Sequence, residues 1–377
     1  MQRYGGVSNC FVQLISHLPA SDQYEISIAE SDNIHLKASG LVTTEPMRLP
    51  CDRFLRQRKF KGQRTLYDLY GRLFPRKTSE GRNRLLTIDT LRKGQYDVFH
   101  PTFFDDYFLP YLGQRPFVLT VHDMIPEMFF PSYDPQVRKK RELVERAAHI
   151  VAVSAKTKED LVRMFQIDER RVTVIHHGPP ASEESASDKR LVEGKYLLYV
   201  GVRKDYKNFI PMLQELLPVL RQHQDIRLVC TGPDFTRHET DFFARNGIAS
   251  RIVHVRPSDA EMHGLYAHAL CFLFPSLYEG FGIPILEAYA ASCPVLLNHA
   301  SCFPEVAEDA ALFFHLDSQG KDSDLAQVMQ AFLGWSDDER QQLIQRQRQR
   351  LAAFSWQKAA AQLHHVYEEV LSRGSHG

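Results

Sequence analysis

The chain has 377 residues, 44% hydrophobic and 24% charged, with 46 Lys and Arg balanced by 46 Asp and Glu. That length exceeds one ordinary core and suits two domains, and the composition excludes a disordered or fibrous chain. A neutral overall balance argues against nucleic acid as a partner.

Six scattered cysteines form no Cys-x-x-Cys pair, and Cys230, Cys271 and Cys293 lie in or beside apolar runs. This is the usage of small buried hydrophobes in a reducing compartment. No apolar run approaches the ~18 residues that cross a bilayer, and the first twenty residues lack a signal-peptide layout. A cytoplasmic protein is expected, able to touch the inner face of the membrane.

In chain order, the first feature is Tyr4-Gly5-Gly6-Val7-Ser8, a glycine turn leading into a helix. A doubly wound domain carries a strand before such a turn and none is present, so either the numbering starts late, the favoured expectation, or the first sheet is built from a reduced strand set. From Arg53 to Lys93 the chain has thirteen Lys or Arg against Asp68, Glu80 and Asp89, interleaved with Phe54, Leu66, Leu69, Leu73 and Phe74. Such a segment suits an anionic lipid surface, each basic residue adding about 1 kcal/mol. A solvated basic insertion, or one that binds an anionic acceptor, is the alternative.

Short β-branched runs then alternate with amphipathic stretches, the pattern of βα units around a parallel sheet. Strands are predicted at residues 97–100, 116–121, 149–153 and 171–175, then at 196–200, 226–231, 251–255, 269–274 and 294–297. Helices fall between them, as at 135–148, 156–165 and 209–223. This is an α/β chain of two successive doubly wound sheets. Residues 1–178 form the first domain, 179–190 a linker of turn formers and small polar residues, and 191–355 the second domain. The terminal stretch 356–377 is a helix expected to pack back on the first domain, with a loose tail.

Strand ends carry the candidate chemistry, because open α/β sheets place ligand contacts there. Strand 116–121 delivers His122 and Asp123, and His100, Thr102 and Asp105 follow strand 97–100. Ser154 reads as a helix N-cap, and His176 and His177 as hinge or packing residues. After strand 196–200, Arg203 and Lys207 stand beside a helix start, placed to neutralise a pyrophosphate. After strand 269–274 comes Glu279-Gly280-Phe281-Gly282-Ile283-Pro284-Ile285-Leu286-Glu287. Its glycines let backbone approach a ligand, its helix N-terminus offers N–H groups to an anion, and its carboxylates accept from hydroxyls on either side. A sugar–diphosphate–ribose ligand satisfies that geometry. Glu305 reads equally as a donor contact or as a carboxylate at a helix N-terminus. Asp322-Ser323-Asp324, the single Asp-x-Asp, reads as an N-cap rather than a metal site.

Three segments together resemble glycosyltransferase family 4: Tyr199-Val200-Gly201-x-Arg203-x-x-Tyr206-Lys207-Asn208-Phe209, the Glu279-x7-Glu287 motif, and Phe303-Pro304-Glu305-Val306-x-x-Asp309-Ala310-Ala311. The resemblance covers nearly the whole chain and implies a retaining enzyme of the GT-B fold, two Rossmann-like domains facing across a cleft. It implies that Glu279 contacts sugar hydroxyls, Glu287 holds the ribose, and Arg203 and Lys207 bind the diphosphate. Gly280, Phe281 and Gly282 line the donor, and Gly232 and Val255 border the nucleobase. Gly5 and Gly6 lie near the diphosphate, and His122 approaches the reaction centre with Asp123 beside it. His100, Thr102 and Asp105 lie on the acceptor side.

The expected activity is transfer of a hexose, with mannose from GDP-mannose favoured over UDP-sugars, to a saccharide or lipid-linked acceptor in O-antigen or capsule assembly. With no carboxylate nucleophile beside His122, the leaving phosphate is expected to take the acceptor proton, stabilised by cations and helix N-termini. No metal and no cofactor are expected. Rival readings are a nucleotide-sugar epimerase, a phosphorylase lacking a convincing pyridoxal lysine, and an inactive sugar-binding scaffold. A dinucleotide oxidoreductase is disfavoured because no Gly-x-Gly-x-x-Gly follows a strand.

Overall fold

A computed structural model of the chain describes residues 6–55, 62–130, 135–180 and 189–374. Gly5, residues 56–61 of the basic segment and residues 181–188 of the linker lie outside the described residues.

Two parallel sheets organise the chain. The first consists of β1 (Val118–Val121), β2 (His149–Ala152) and β3 (Val172–Val174), in that spatial order. Leu119 stands opposite Ile150, and Val151 opposite Thr173. Successive side chains enter different cores, as the period of a strand requires. Leu119, Val121, Ile150 and Ala152 join Leu143, Val144, Leu161 and Phe165 from two covering helices, whereas Val118 and Val151 join Cys10 and Leu14 on the other face. The strand predicted at residues 97–100 is reduced to one parallel bridge between Phe99 and Phe117. Pro101 follows, and a proline has no N–H with which to extend a ladder.

The second sheet has the order β6-β5-β4-β7-β8-β9. Its strands are β4 (Lys195–Tyr199), β5 (Ile226–Cys230), β6 (Ile252–His254), β7 (Cys271–Phe274), β8 (Val295–Asn298) and β9 (Leu312–Phe314). Apolar residues occupy both faces, with Leu198 and Phe272 in one core and Leu197 and Leu273 in the other. Burial on both sides is why these strands read as continuous apolar runs. β9 lies outside the predicted strands, since three residues are too few to show a period. Asp324 also departs from expectation. Its carboxylate accepts from His315 N at the end of β9 (2.6 Å) rather than from the helix it precedes.

The order of this sheet reverses between β4 and β7. Connections from β4 run one way and those from β7 the other, so the loops after these two strands part and leave a crevice.

The last helix, Trp356–Gly374, packs on the first domain, where Trp356, Leu363 and Val366 meet Cys10, Leu14 and Val118. Each such side chain removed from water contributes about 1.5–3 kcal/mol. Trp356 Nε1 donates to the Pro179 carbonyl (2.7 Å), and a Cβ at Gly178 would come within 2.5 Å of the indole. Among the described residues no helix is long and apolar enough to cross a membrane.

Candidate active site

The loops after β4 and β7 meet at the reversal of the second sheet. Leu277 N donates to the Tyr206 carbonyl (2.8 Å), joining them through backbone. Beside this bond Lys207 Nζ pairs with Glu279, both side chains being mostly buried (16% and 12% exposed). Ser301 fixes the Glu279 peptide from both ends. Its hydroxyl accepts from Glu279 N (3.1 Å) and donates to Glu279 O (2.7 Å). Gly282 adopts φ 88° as the cap of the helix Ile283–Ala290, a conformation that strains any other L-residue. One turn into that helix, the half-buried Glu287 accepts from Tyr266 OH (3.0 Å). Burial raises the pKa of its carboxyl, with the tyrosine hydrogen bond acting the other way.

Arg203 does not share this wall. Its side chain is 3% exposed, with Nε paired to Glu239 (2.7 Å), Nη1 donating to Thr231 O (2.9 Å) and Nη2 to Pro233 O. It therefore holds the turn after β5, in which Gly232 (φ 91°) presses so closely on Gly201 that a Cβ would stand 2.3 Å from the Gly201 carbonyl oxygen. Val255 is half-buried and extends the β6 pairing through its N–H to Cys230 O (3.0 Å). Of the two cations predicted for the diphosphate, the structure brings only Lys207 to Glu279.

The first domain meets this wall directly. A Cβ at Gly280 would lie 1.7 Å from the carbonyl oxygen of His122 and 3.2 Å from Asp123 Cβ, so only glycine permits the approach. The Gly280 carbonyl in turn accepts from Ser154 Oγ (2.6 Å) and Thr157 Oγ1 (3.3 Å). Ser154 is also the N-cap of the helix Ala155–Phe165. Glu305 completes the same junction, accepting from Ala155 N (2.7 Å), Lys156 N (3.2 Å) and His176 Nε2 (2.6 Å). Burial opposes its charge, but these hydrogen bonds outweigh burial and lower its pKa. These hydrogen bonds join the helix Phe303–Ala307 to the first domain. Gly6 opens the first helix beside Ile283, with 3.3 Å available to a Cβ.

His122 follows β1 and is half-buried. Its Nε2 is buried without a hydrogen-bond partner among the described residues. Burial lowers the ring to about 4, the Asp123 charge raising it only in part, so the imidazole is neutral near pH 7. His177, read from sequence as a hinge or packing residue, stacks on His122 (centroids 6.1 Å apart, 20° between planes). Phe281 packs edge-on against His177 at 4.9 Å. Asp123 Oδ1 accepts from Ile125 N (3.0 Å), which shapes the turn. The Asp123 carbonyl accepts from Lys140 Nζ (2.9 Å), whose other partner is Glu127 (2.8 Å); both side chains are buried. No local pattern in the sequence singles out Lys140, Glu127, Ser301 or Tyr266.

On the acceptor side, His100 bonds Thr120 Oγ1 (2.9 Å) and Tyr367 OH (2.7 Å), which ties β1 to the terminal helix. Burial lowers its ring to about 3. Thr102 is exposed. Asp105 accepts from Arg84 (2.7 Å) and Lys139 (2.6 Å) in the wall of a pocket of about 380 Å³, also lined by Arg72, Phe103 and Tyr107. Lys140 lies over the ring of Phe104 in that wall at 4.8 Å, connecting the pocket to the His122 turn.

Two parallel α/β units clasped across a cleft, with strand-end loops from both meeting at a sheet reversal, define the GT-B fold. The chain aligns over 98% of its length with 97% of Anabaena HepE, solved with UDP and glucose (TM-score 0.67, 16% identity). It also aligns over 77% of its length with 79% of sucrose-phosphate synthase from Thermosynechococcus elongatus (TM-score 0.60, 18% identity). Likenesses at such identity establish the fold alone. Residues 4–183 match the model described as Glycosyltransferase Family 4 and residues 182–350 that described as Glycosyl transferases group 1. The chain belongs to glycosyltransferase family 4. Among its relatives, Escherichia coli O-antigen chain mannosyltransferase B is 27% identical over 70% of this chain and 72% of its own length. The Salmonella typhimurium O-antigen chain mannosyltransferase RfbU is 25% identical over 53% of this chain and 57% of its own length.

Proposed function

We propose that this glycosyltransferase moves mannose from GDP-mannose, with retention of configuration, to a lipid-linked saccharide in bacterial surface polysaccharide assembly. The observation that carries the reading is the juxtaposition of Lys207 and Glu279 at the sheet reversal with the His122 turn pressed against Gly280. A diphosphate arriving at the loop competes for the Lys207 ammonium, a charge-assisted exchange. That exchange leaves the Glu279 carboxylate to accept from sugar hydroxyls. Glu287 takes the ribose one helical turn away. Neutral His122, with an unpartnered ring nitrogen, offers a hydrogen bond to the transferred sugar rather than a charge. The Asp123 side chain is engaged with Ile125 N, so the front-face route, in which the leaving phosphate takes the acceptor proton, needs no residue the cleft lacks. Mannose is supported by the names of the relatives.

The acceptor is assigned to the first domain. The helix Gln63–Leu73 leaves Leu66, Leu69 and Leu73 exposed at helical spacing, with exposed Phe74, Arg72, Arg76 and Lys77 at its end. An apolar stripe rimmed by cations suits an anionic membrane surface. Several cations of the segment are already paired with carboxylates of the protein, including Arg82 with Glu30 and Arg84 with Asp105, so lipid binding should be weaker than the count of thirteen implies. Purified protein incubated with GDP-mannose and extracted lipid-linked acceptor should yield a product whose new anomeric proton reports the α-configuration of the donor. A β-linked product overturns retention, and transfer from UDP-sugars only overturns the donor assignment.

A further inference from the structure

We propose that Cys10, His122 and His177 form a binding site for a soft divalent cation such as Zn²⁺, and that its occupancy blocks the enzyme by capturing His122. The blockade rests on the role given above to His122, whereas the binding does not. The three residues come from the first helix, the end of β1 and the segment after β3, and their candidate ligand atoms all lie within 4.8 Å of one another. Cys10 Sγ and His177 Nδ1 are 3.2 Å apart. Zinc bonds of about 2.3 Å to sulfur and 2.0–2.1 Å to nitrogen place such atoms roughly 3.5 Å apart around a tetrahedral ion, so no separation in the cluster needs to close by more than about 1.3 Å.

A thiol–imidazole hydrogen bond accounts for the Cys10–His177 contact but leaves His122 Nε2 buried and unpartnered. Burying a polar nitrogen without a partner is unfavourable, and coordination of the ring would relieve it. Imidazole coordinates in its neutral form and cysteine as the thiolate, so the ion must displace the Cys10 proton and binding should strengthen as pH rises. One sulfur with two imidazoles selects Zn²⁺ or Co²⁺ over Mg²⁺.

The test is a Co²⁺ titration of the purified full chain, followed by Zn²⁺ competition and transferase assays at graded Zn²⁺. The expected result is a thiolate-to-cobalt absorption band saturating at one equivalent, bleached by Zn²⁺ and untouched by Mg²⁺. Cys10→Ser should lose the band, keep basal activity, and need at least tenfold more Zn²⁺ for half-inhibition. Cys10→Ala serves if the serine variant melts early, and Cys51→Ser, at a half-buried site elsewhere, should behave as wild type. Absence of the band, Zn²⁺ inhibition unchanged by the Cys10 variants, or a band without inhibition each overturns the proposal. Donor binding measured without metal tests the transferase reading separately.

Discussion

Replacing Gly280 with alanine asks whether the contact between domains is part of catalysis. The new Cβ would stand 1.7 Å from the His122 carbonyl oxygen, so the cleft must open by roughly 1.7 Å to restore an ordinary 3.4 Å contact. That opening loses the hydrogen bonds from Ser154 (2.6 Å) and Thr157 (3.3 Å) to the Gly280 carbonyl. At about 1 kcal/mol each, their loss reduces the closed population about 30-fold. A displacement of about 1 Å at a reaction centre can itself cost 10²-fold. Gly280→Ala should therefore lower kcat/KM by about two orders of magnitude. Melting should shift by only a few degrees, because the clash is between domains and leaves both sheets intact. Gly282→Ala is the contrasting control. Its φ of 88° and its neighbours Ile285 and Phe303 lie within one domain, so it should lose stability first. A Gly280→Ala enzyme within threefold of wild-type kcat/KM would refute the reasoning.

Lys207→Ala removes the cation paired with Glu279, and calorimetry should show donor affinity at least tenfold weaker, as loss of a charge-assisted bond of about 1.5–3 kcal/mol requires. Lys140→Met strands the buried Glu127 carboxylate and should cost about 3–5 kcal/mol in denaturant unfolding. Adding Glu127→Gln to it should recover most of that loss, and additive losses would contradict the pairing. Acid should destabilise the protein through buried imidazoles. Burial lowers His100 to about 3, His122 to about 4 and His177 to about 3. From about pH 6.5 down to about 4 the unfolded chain binds protons that the folded chain refuses, so stability falls as pH falls. The slope should approach about 4 kcal/mol per pH unit at its steepest, from about 1.36 per proton, and melting measured from pH 8 to 4 should be flat above 7.

The sheets were legible because strands buried on both faces leave apolar runs, as Leu197–Tyr199 and Phe272–Phe274 do. The glycine loop was legible because a strand end, Gly280, Gly282 and Pro284 follow one another within a dozen residues. Nothing local revealed that Arg203 turns to Glu239 and the Pro233 carbonyl, since a basic residue after a strand looks alike whether it faces a ligand or its own turn. Contacts across more than a hundred residues were equally hidden. Glu305 read evenly as donor contact or helix carboxylate, and only the fold brings it to Ala155 and His176. His177 stood in the sequence as a hinge or packing residue, and only the fold shows that the ring it packs on is His122.

The central claim is a nucleotide-sugar site between Lys207, Glu279 and Glu287, and a thermal-shift panel of GDP-, UDP-, ADP- and dTDP-sugars tests it most directly. One nucleotide series, GDP foremost, should raise the melting temperature of the wild type in a saturable way, and Glu287→Ala should erase that shift while melting normally without ligand. Stabilisation by none of the four, or a shift that survives Glu287→Ala unchanged, would contradict the account.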